Sequence, residues 1–289
     1  MSSTFVLGLF LGMIAALCLN LGKGIQKRHV QVLTKGRKMF GAEHRKEFGG
    51  WLLGFLLTSI ASLPYSLALK YSGSPSAISA MTGVGLVGLV IYALCVLGER
   101  LGLRDGLGIA LVVLATSTLG YLGGGREGWD FDVPVLTILG VVVGPVLVLG
   151  AGCVAAFRFR AIHGVAFGLA SGFMIGLSLF MGDVALVKAG GDFIGQFGNP
   201  FPYAAIVIGI GALALTQVGF LRARALVVVP AVNSAAIVTP VFLEGAIYGK
   251  FPSLVMIALI LVVLTGVVLL STGAAARVSA GEATTETPG

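Results

Sequence analysis

Residues 225–248 read ALVVVPAVNSAAIVTPVFLEGAIY, and Glu244 is the one charged side chain in this run of 24 residues. As an α-helix the run is long enough to cross about 30 Å of hydrocarbon, because each residue adds about 1.5 Å. A charge-poor run of this length is typical of a segment surrounded by lipid. It therefore predicts a helix that spans a membrane.

The composition of the whole chain agrees with this prediction. Of the 289 residues, 57% are apolar and 11% are charged, and the mean hydropathy is +1.02. Soluble domains carry about 25% charged residues, so these values exclude an ordinary water-soluble protein. The 44 glycines are typical of membrane helices, which pack closely through small residues.

Apolar runs of similar length recur along the chain and predict nine membrane spans. The predicted spans are 5–21, 51–69, 77–97, 106–122, 133–157, 165–187, 203–221, 225–248 and 254–270. With the amino terminus outside, 15 of the 19 lysines and arginines fall in inner loops, as in most membrane proteins. We therefore expect an integral protein of the plasma (inner) membrane with a cytoplasmic carboxyl terminus. The net charge of +7 then reflects topology, and no nucleic-acid partner is expected.

The first and sixth spans align when the chain is shifted by 160 residues, which places Gly8 on Gly168 and Gly12 on Gly172. A shift near 150 residues aligns the fourth span with the ninth. Lys70 and Arg222 likewise end the second and seventh spans, so three pairs of spans match in the same order, which indicates a duplication. Because the matched spans are five apart, an odd number, the second copy enters the membrane in the opposite sense.

The sequence therefore predicts an all-α integral membrane protein built as an inverted repeat in a 4+1+4 arrangement. Residues 1–122 form the first repeat, and residues 123–162 contain the linking fifth helix and its loops. Residues 163–272 form the second, inverted repeat. Residues 273–289 are expected to be a disordered cytoplasmic tail.

Inverted repeats of this kind place a solute site near the middle of the membrane, so polar side chains within the spans are the first candidates. Asn20, Gln217 and Asn233 each bring a primary amide with four hydrogen-bonding positions, and Thr239 brings a hydroxyl. These side chains either line a solute path or form hydrogen bonds between helices and back to the helix. The sequence leaves both alternatives open.

Two carboxylates lie near the outer ends of spans. Asp183 belongs to the sixth span and Glu244 to the eighth. They form either an acidic vestibule, with metal ligands if the protein carries a divalent cation, or hydrated interfacial groups neutralised by Lys188 and Lys250. A charged group at the centre of a span costs about 2.5–3.5 kcal/mol, so each such residue requires an explanation.

Two charged groups have simpler interpretations. Lys23, at the inner end of the first span, is predicted to extend to the cytoplasmic surface. Glu99 is followed directly by Arg100, and the two are predicted to form an ion pair at the end of the third span.

Prolines and glycines suggest how the helices are shaped and packed. Pro230 and Pro240 remove hydrogen bonds within the eighth span, which predicts either a broken helix at the solute site or a packing kink. The spacing of Gly168 with Gly172, and of Gly140 with Gly144, predicts close contacts with neighbouring helices.

The phrase Ala68-Leu69-Lys70-Tyr71, followed by Leu97-Gly98-Glu99-Arg100-Leu101, resembles the EamA-type drug/metabolite transporter superfamily. Thr239-Pro240-Val241-Phe242 is similar to the mid-span proline phrase of that family. Its members usually have ten spans, one more than predicted here. This resemblance implies a secondary transporter that moves a small polar or amphipathic solute by alternating access.

A second resemblance is to the NIPA-like magnesium transporters, which have nine spans. It rests on Thr216-Gln217 with Phe220-Leu221 and on Ile237-Val238-Thr239-Pro240. It implies the alternative of magnesium or other divalent-cation transport.

A membrane-embedded enzyme acting on lipid is a third hypothesis, but the sequence has no clustered histidine and carboxylate set. We therefore expect a protein that is not an enzyme and needs no cofactor. Its expected partners are a small solute or cation and membrane lipid, and a homodimer stays an open alternative.

Overall fold

The computed structural model describes residues 3–72, 81–122, 135–156, 163–190, 192, 194–249 and 251–279, and a few side chains within these ranges are not described. These residues are helical apart from short connections, and no strand occurs among them. Charge-poor segments fold this way because a helix pairs its own backbone N–H and C=O groups, which lipid cannot do.

The first part of the chain contains five helices. They are α1 (Ser3–His29), α2 (Arg45–Ile60), α3 (Ser62–Ser72), α4 (Thr82–Cys95) and α5 (Leu103–Leu122). Between α1 and α2 lie two 3₁₀ segments, Val30–Phe40 and Ala42–His44. The predicted second span is divided at Ala61 into α2 and α3.

Five further helices follow. They are α6 (Val135–Ala156), α7 (His163–Lys188), α8 (Phe201–Arg222), α9 (Ala225–Tyr248) and α10 (Leu254–Ser279). A 3₁₀ turn at Gly195–Gly198 precedes α8. Helix α10 continues past position 270, where its predicted span ends, and residues 280–289 of the expected tail lie outside the described residues.

Five helical stretches in the described part of the chain are long and apolar enough to cross a membrane. They are Phe5–Phe40, Ala42–Tyr65, His163–Gly182, Phe201–Arg222 and Ala225–Tyr248. Val84–Cys95 and Leu254–Leu270 are shorter apolar helices. The prediction of an all-α fold is confirmed for the described residues, and the long apolar helices are compatible with a membrane protein.

The helices pack in three groups. Helix α1 packs along α2, α3 and α4; helix α7 packs along α8 and α9; and α5 packs along α10. One buried cluster joins both parts of the chain, because it contains Leu86 of α4, Val112 of α5, Phe220 of α8 and Val228 of α9. The groups therefore share a common core.

Helix α7 meets α9 through a glycine stripe, which consists of Gly164, Gly168, Gly172 and Gly176. A Cβ atom at Gly168 would lie 2.9 Å from the carbonyl oxygen of Val228, so only glycine allows this approach. The predicted close contact of Gly168 and Gly172 is confirmed. At Gly140 and Gly144 the described residues provide no such contact, because a Cβ at either position would meet none of their atoms within 4 Å.

Both prolines of α9 lie within one continuous helix from Ala225 to Tyr248, so the predicted break is not present. Pro240 leaves the carbonyl of Ala236 without its usual N–H partner. That carbonyl faces α7, where a Cβ at Gly176 would lie 2.9 Å from its oxygen. Close packing against α7 is a physical reason why the helix continues.

Candidate solute site

A buried polar chain connects α1 with α9. The Lys23 ammonium donates a hydrogen bond of 2.7 Å to Oδ1 of Asn233. The Asn233 amide donates to Oδ1 of Asn20 at 2.8 Å, and the Asn20 amide donates to the carbonyl of Ala16 at 3.0 Å. Lys23 is 5% exposed and Asn20 is fully buried. Each amide therefore fixes the orientation of the next group, and Oδ1 of Asn233 faces the lysine.

A second group of amides connects α1 with α2 and α8. Gln217 donates to Oε1 of Gln26 at 2.6 Å, and the Trp51 indole donates to Oε1 of Gln217 at 3.0 Å. Gln26 in turn donates to the hydroxyl of Thr58 at 2.9 Å. One hydrogen bond thus joins the two glutamines, which lie far apart in sequence, and Thr58 and Trp51 pair with their remaining polar atoms.

Local helix geometry places these groups side by side. Asn20, Lys23 and Gln26 are three residues apart, and this spacing puts them on one face of α1. We call Asn20, Lys23, Gln26, Gln217 and Asn233 the polar junction. It contains three of the predicted site residues, Asn20, Gln217 and Asn233.

The observed position of Lys23 contradicts the prediction made from the sequence. It does not extend to the surface, because its ammonium is buried against Asn233. No carboxylate in the described part of the chain forms an ion pair with it. The polar junction therefore holds a lysine ammonium whose hydrogen-bond acceptor is a neutral amide.

One helical turn beyond Lys23, α1 also contacts the connection between α8 and α9. Lys27 donates to the carbonyl oxygens of Phe220 at 2.5 Å and Ala223 at 2.8 Å. These carbonyls belong to the last turn and the C-cap of α8. A cation at a helix C-terminus is favourable because the carbonyls there carry partial negative charge.

Glu99 binds the start of α9. Its carboxylate accepts hydrogen bonds from the N–H groups of Ala225 at 2.6 Å and Leu226 at 3.0 Å. Arg224, whose Nε lies 3.9 Å from Glu99, also contacts Asp105 at 3.7 Å and donates to the carbonyl of Arg100. The predicted ion pair of Glu99 with Arg100 is wrong, since the carboxylate caps a distant helix instead.

Burial raises the pKa of the Glu99 carboxyl, and the N–H groups of Leu226 and Ala225 and the charge of Arg224 act in the opposite direction. Glu99 lies in the connection between α4 and α5, outside the membrane-spanning helices.

An apolar cavity of about 500 Å³ lies on another side of α9. It is lined by Phe173 of α7, Val238 and Phe242 of α9 and Val263 of α10, among others. Asn233 and Phe242 are nine positions apart, which makes about two and a half helical turns, so the polar junction and the cavity are on opposite faces of α9.

Thr239 and Ser234 also line this cavity, but their hydroxyls donate to carbonyls of their own helix, those of Ala235 and Pro230. For Thr239 the structure thus has the hydrogen bond back to the helix, one of the two predicted alternatives. It is not part of the polar junction.

Of the two predicted carboxylates, Asp183 and Glu244, the structure describes the side chain of Glu244. Glu244 is partly buried on α9. It lies more than two helical turns beyond Asn233, the residue of α9 that belongs to the polar junction. The side chain of Asp183 lies outside the described residues. Among the residues that are described, no group of three or more His, Cys, Asp or Glu side chains is placed to hold a metal ion.

Sequence reasoning missed Lys23, Gln26 and Trp51 as members of the site. The three-residue spacing of polar side chains on α1 was a usable signal for Lys23 and Gln26. Trp51 carried no such signal, since its partner lies 166 residues away.

The fold and this site together describe a helical membrane protein with a buried, positively charged polar junction. Comparison with protein-family models, curated proteins and solved structures finds no match to this chain.

Proposed function

We propose that this protein is a secondary transporter of the drug/metabolite type, which moves a small polar or amphipathic solute by alternating access. In this proposal α1 to α5 form one half and α7 to α10 form a second, inverted half, with α6 between them. The amino terminus lies outside, and the carboxyl terminus lies in the cytoplasm of a cell bounded by the plasma (inner) membrane.

The pattern of helix contacts supports two related halves. In the first half, α1 packs along the α2–α3 pair and α4; in the second, α7 packs along α8 and α9. The remaining helices, α5 and α10, pack along each other. Each half thus has a first helix at its centre and contributes its last helix to the contact with the other half.

The contact between α5 and α10 is reciprocal. A Cβ atom at Gly108 would lie 2.8 Å from the carbonyl oxygen of Gly266, and one at Gly266 would lie 2.8 Å from that of Gly108. Reciprocal contacts of this kind occur near a twofold axis. This supports an approximate twofold relation between the halves.

The observation that carries the proposal is the hydrogen bond from Lys23 to Asn233. It joins two buried residues 210 positions apart, one from each proposed half. Asn233 lies about 12 Å along α9 from its start at Ala225, which is close to the depth of a bilayer midplane. Ionisable groups at such depth mark solute and ion pathways in membrane proteins.

The contacts of Lys27 and Glu99 supply a second element of the mechanism. Both residues belong to the proposed first half and bind the backbone where α8 ends and α9 begins. Alternating access requires these hydrogen bonds to break when this end opens and to form again when it closes. Polar contacts suit that exchange, because water replaces the lost partners.

The charge of the polar junction favours an organic solute over magnesium. Magnesium is bound through carboxylates, phosphates and water, whereas the junction offers an ammonium and amides. The magnesium alternative implied by the NIPA-like phrases has no specific contact in its favour among the described residues.

The test is uptake by the full chain reconstituted into liposomes. Labelled amino acids, dicarboxylates, sugar phosphates, neutral sugars, polyamines and magnesium are compared with liposomes that lack protein. We expect saturable uptake of at least one organic solute. Uptake of magnesium alone, or of no solute, would overturn the proposal.

Alternating access is tested separately by cross-linking. The natural cysteines are first replaced by alanine. Arg100→Cys is then combined with Arg224→Cys, because Nη2 of Arg224 donates a hydrogen bond of 2.6 Å to the Arg100 carbonyl and the two positions are therefore close. A short bis-methanethiosulfonate reagent is expected to stop transport, and a reductant to restore it. Lys35→Cys with Glu43→Cys, both exposed and within one half, is the matched control.

A further inference from the structure

The ammonium of Lys23 is the least compensated charge at the polar junction. It has three N–H donors, and its described hydrogen bond is the one to Oδ1 of Asn233. The side chain is 5% exposed, so bulk water does not surround it. A buried charge without an opposite charge is unfavourable, and it is usually retained for a function.

The described partners of Lys23 carry no negative charge, and Lys27 is itself influenced by the carboxylate of Glu99. Lys27 lies one helical turn further along α1 and is bound to the carbonyls of Phe220 and Ala223. Asn20 and Asn233 are neutral, and their amide groups add N–H donors beside the lysine. The local chemistry is that of a site for a negatively charged group.

We propose that Lys23 binds the anionic group, a carboxylate or a phosphate, of the transported solute. This inference rests on the transport function proposed above and specifies its substrate class. The anion takes the place of Oδ1 of Asn233 on the ammonium, and the Asn233 amide N–H turns to donate to it. No covalent bond is made or broken.

The choice of asparagine as the partner of Lys23 suits such an exchange. A carboxylate partner would compete with the solute for the ammonium through its full charge. A neutral amide oxygen forms a weaker bond, so an anion gains a charge-assisted hydrogen bond by displacing it. The site in the present structure is closed by Asn233, and binding requires α1 and α9 to separate.

Helix α1 has limited direct contact with α9, in contrast to its long contacts with α2, α3 and α4. Its described side-chain hydrogen bonds to α9 converge on the amide of Asn233. Separation of the two helices therefore breaks these two side-chain hydrogen bonds, in addition to the contacts of Lys27 and Glu99 described above, and leaves the glycine stripe between α7 and α9 intact.

The experiment compares matched pairs of labelled solutes that differ in one anionic group. Glutamate is compared with glutamine, succinate with succinamide, and glycerol 3-phosphate with glycerol, in liposomes that contain the full chain. We expect uptake of the anionic member of at least one pair and little uptake of its neutral analogue. Preferential uptake of glutamate or succinate indicates recognition of a carboxylate, and preferential uptake of glycerol 3-phosphate indicates recognition of a phosphate.

Lys23→Gln and Lys23→Arg test the residue itself. Lys23→Gln is expected to lower anion uptake by about ten- to a hundredfold, because a charge-assisted contact is lost, while Lys23→Arg retains part of it. Lys35→Gln, which removes an exposed lysine with the same change in charge, is expected to behave like the natural chain. Size-exclusion chromatography in detergent selects variants that are folded.

Binding is measured independently of transport. Glutamate, succinate and glycerol 3-phosphate are added to the detergent-solubilised chain, and an increase in Tm is expected for the natural protein but not for Lys23→Gln. Uptake of only neutral or cationic solutes, with Lys23→Gln unchanged, would overturn the anion site and leave the transport proposal standing. Anion binding that depends on Lys23 without any uptake would overturn the transport proposal and leave the site. Absence of both overturns both.

Discussion

Helices α1 and α7 have similar positions in their groups of helices, yet they meet α9 in different ways. Helix α7 approaches through the glycine stripe, where its backbone lies against carbonyl oxygens and Cβ atoms of α9. Helix α1 approaches through Asn20 and Lys23, whose side chains form hydrogen bonds with Asn233. The first contact is lost only if the helices move apart, whereas the second can exchange partners. In the proposed transport mechanism, α7 and α9 therefore move as one body and α1 moves against them.

The largest expected effect is at the glycine stripe. A side chain at Gly172 would fall against the carbonyl of Val232 and within 2.8 Å of the Cβ of Ala235. Gly172→Leu is therefore expected to cost more than about 3 kcal/mol and to abolish folded protein in size-exclusion chromatography. Gly140→Leu on α6, which meets none of the described atoms within 4 Å, is the control and should fold. Normal behaviour of Gly172→Leu would show that the α7–α9 contact is not rigid.

The next effect concerns the exchangeable contact. Asn233→Leu removes the acceptor of Lys23 and is expected to destabilise the protein by about 2–3 kcal/mol in unfolding by denaturing detergent. Adding Lys23→Met removes the buried charge as well, so the double variant should regain most of the stability but show no solute uptake. If the double variant transports normally, the polar junction serves stability alone.

A smaller effect is expected where the first half binds the start of α9. Glu99→Ala leaves the N–H groups of Ala225 and Leu226 without their acceptors and should cost about 1–3 kcal/mol in the same unfolding measurement. Glu47→Ala, at an exposed position on α2, should change stability by less than about 1 kcal/mol. Equal effects of the two substitutions would contradict a capping role for Glu99.

The smallest effect is a dependence on pH. Because burial raises the pKa of Glu99, the folded state binds this proton more strongly than the unfolded state. Its contribution to stability is complete below the unfolded pKa of about 4.3 and is lost as the pH rises through the higher pKa of the folded state. Tm should therefore show a decline with rising pH that Glu99→Gln removes and Glu47→Gln retains. A Tm profile that is identical for Glu99→Gln and the natural chain would argue against this titration.

The positions of the apolar helices were predictable from the sequence, because hydropathy depends on residue type and run length. The end of α1 was not. Its predicted span stops at position 21, but the helix continues to His29, since Lys23, Gln26 and Lys27 find partners on α8 and α9. Hydropathy depends only on residue type along the sequence, so it contains no information about hydrogen-bond partners elsewhere in the chain.

The candidate site was predictable only as a set of separate residues. Asn20 and Asn233 are predicted site residues because an amide in an apolar run requires a partner. The structure joins the two by a hydrogen bond. Their link to Lys23 depends on which helices are neighbours, which one sequence does not specify. The same limit explains Glu99, whose predicted partner was the adjacent Arg100 and whose observed contacts are with Ala225 and Leu226.

The hydrogen bond from Trp51 to Gln217 makes the polar junction open to optical observation. Its indole joins α2 to α8 and stacks on Phe55 at 5.8 Å between ring centroids. The chain contains one other tryptophan, Trp129, so Trp129→Phe leaves a single emitter at the junction. Opening of this end of the protein brings water to the indole and shifts its fluorescence to longer wavelength. The natural chain thus contains its own reporter of the proposed transport cycle, readable in real time without an attached dye.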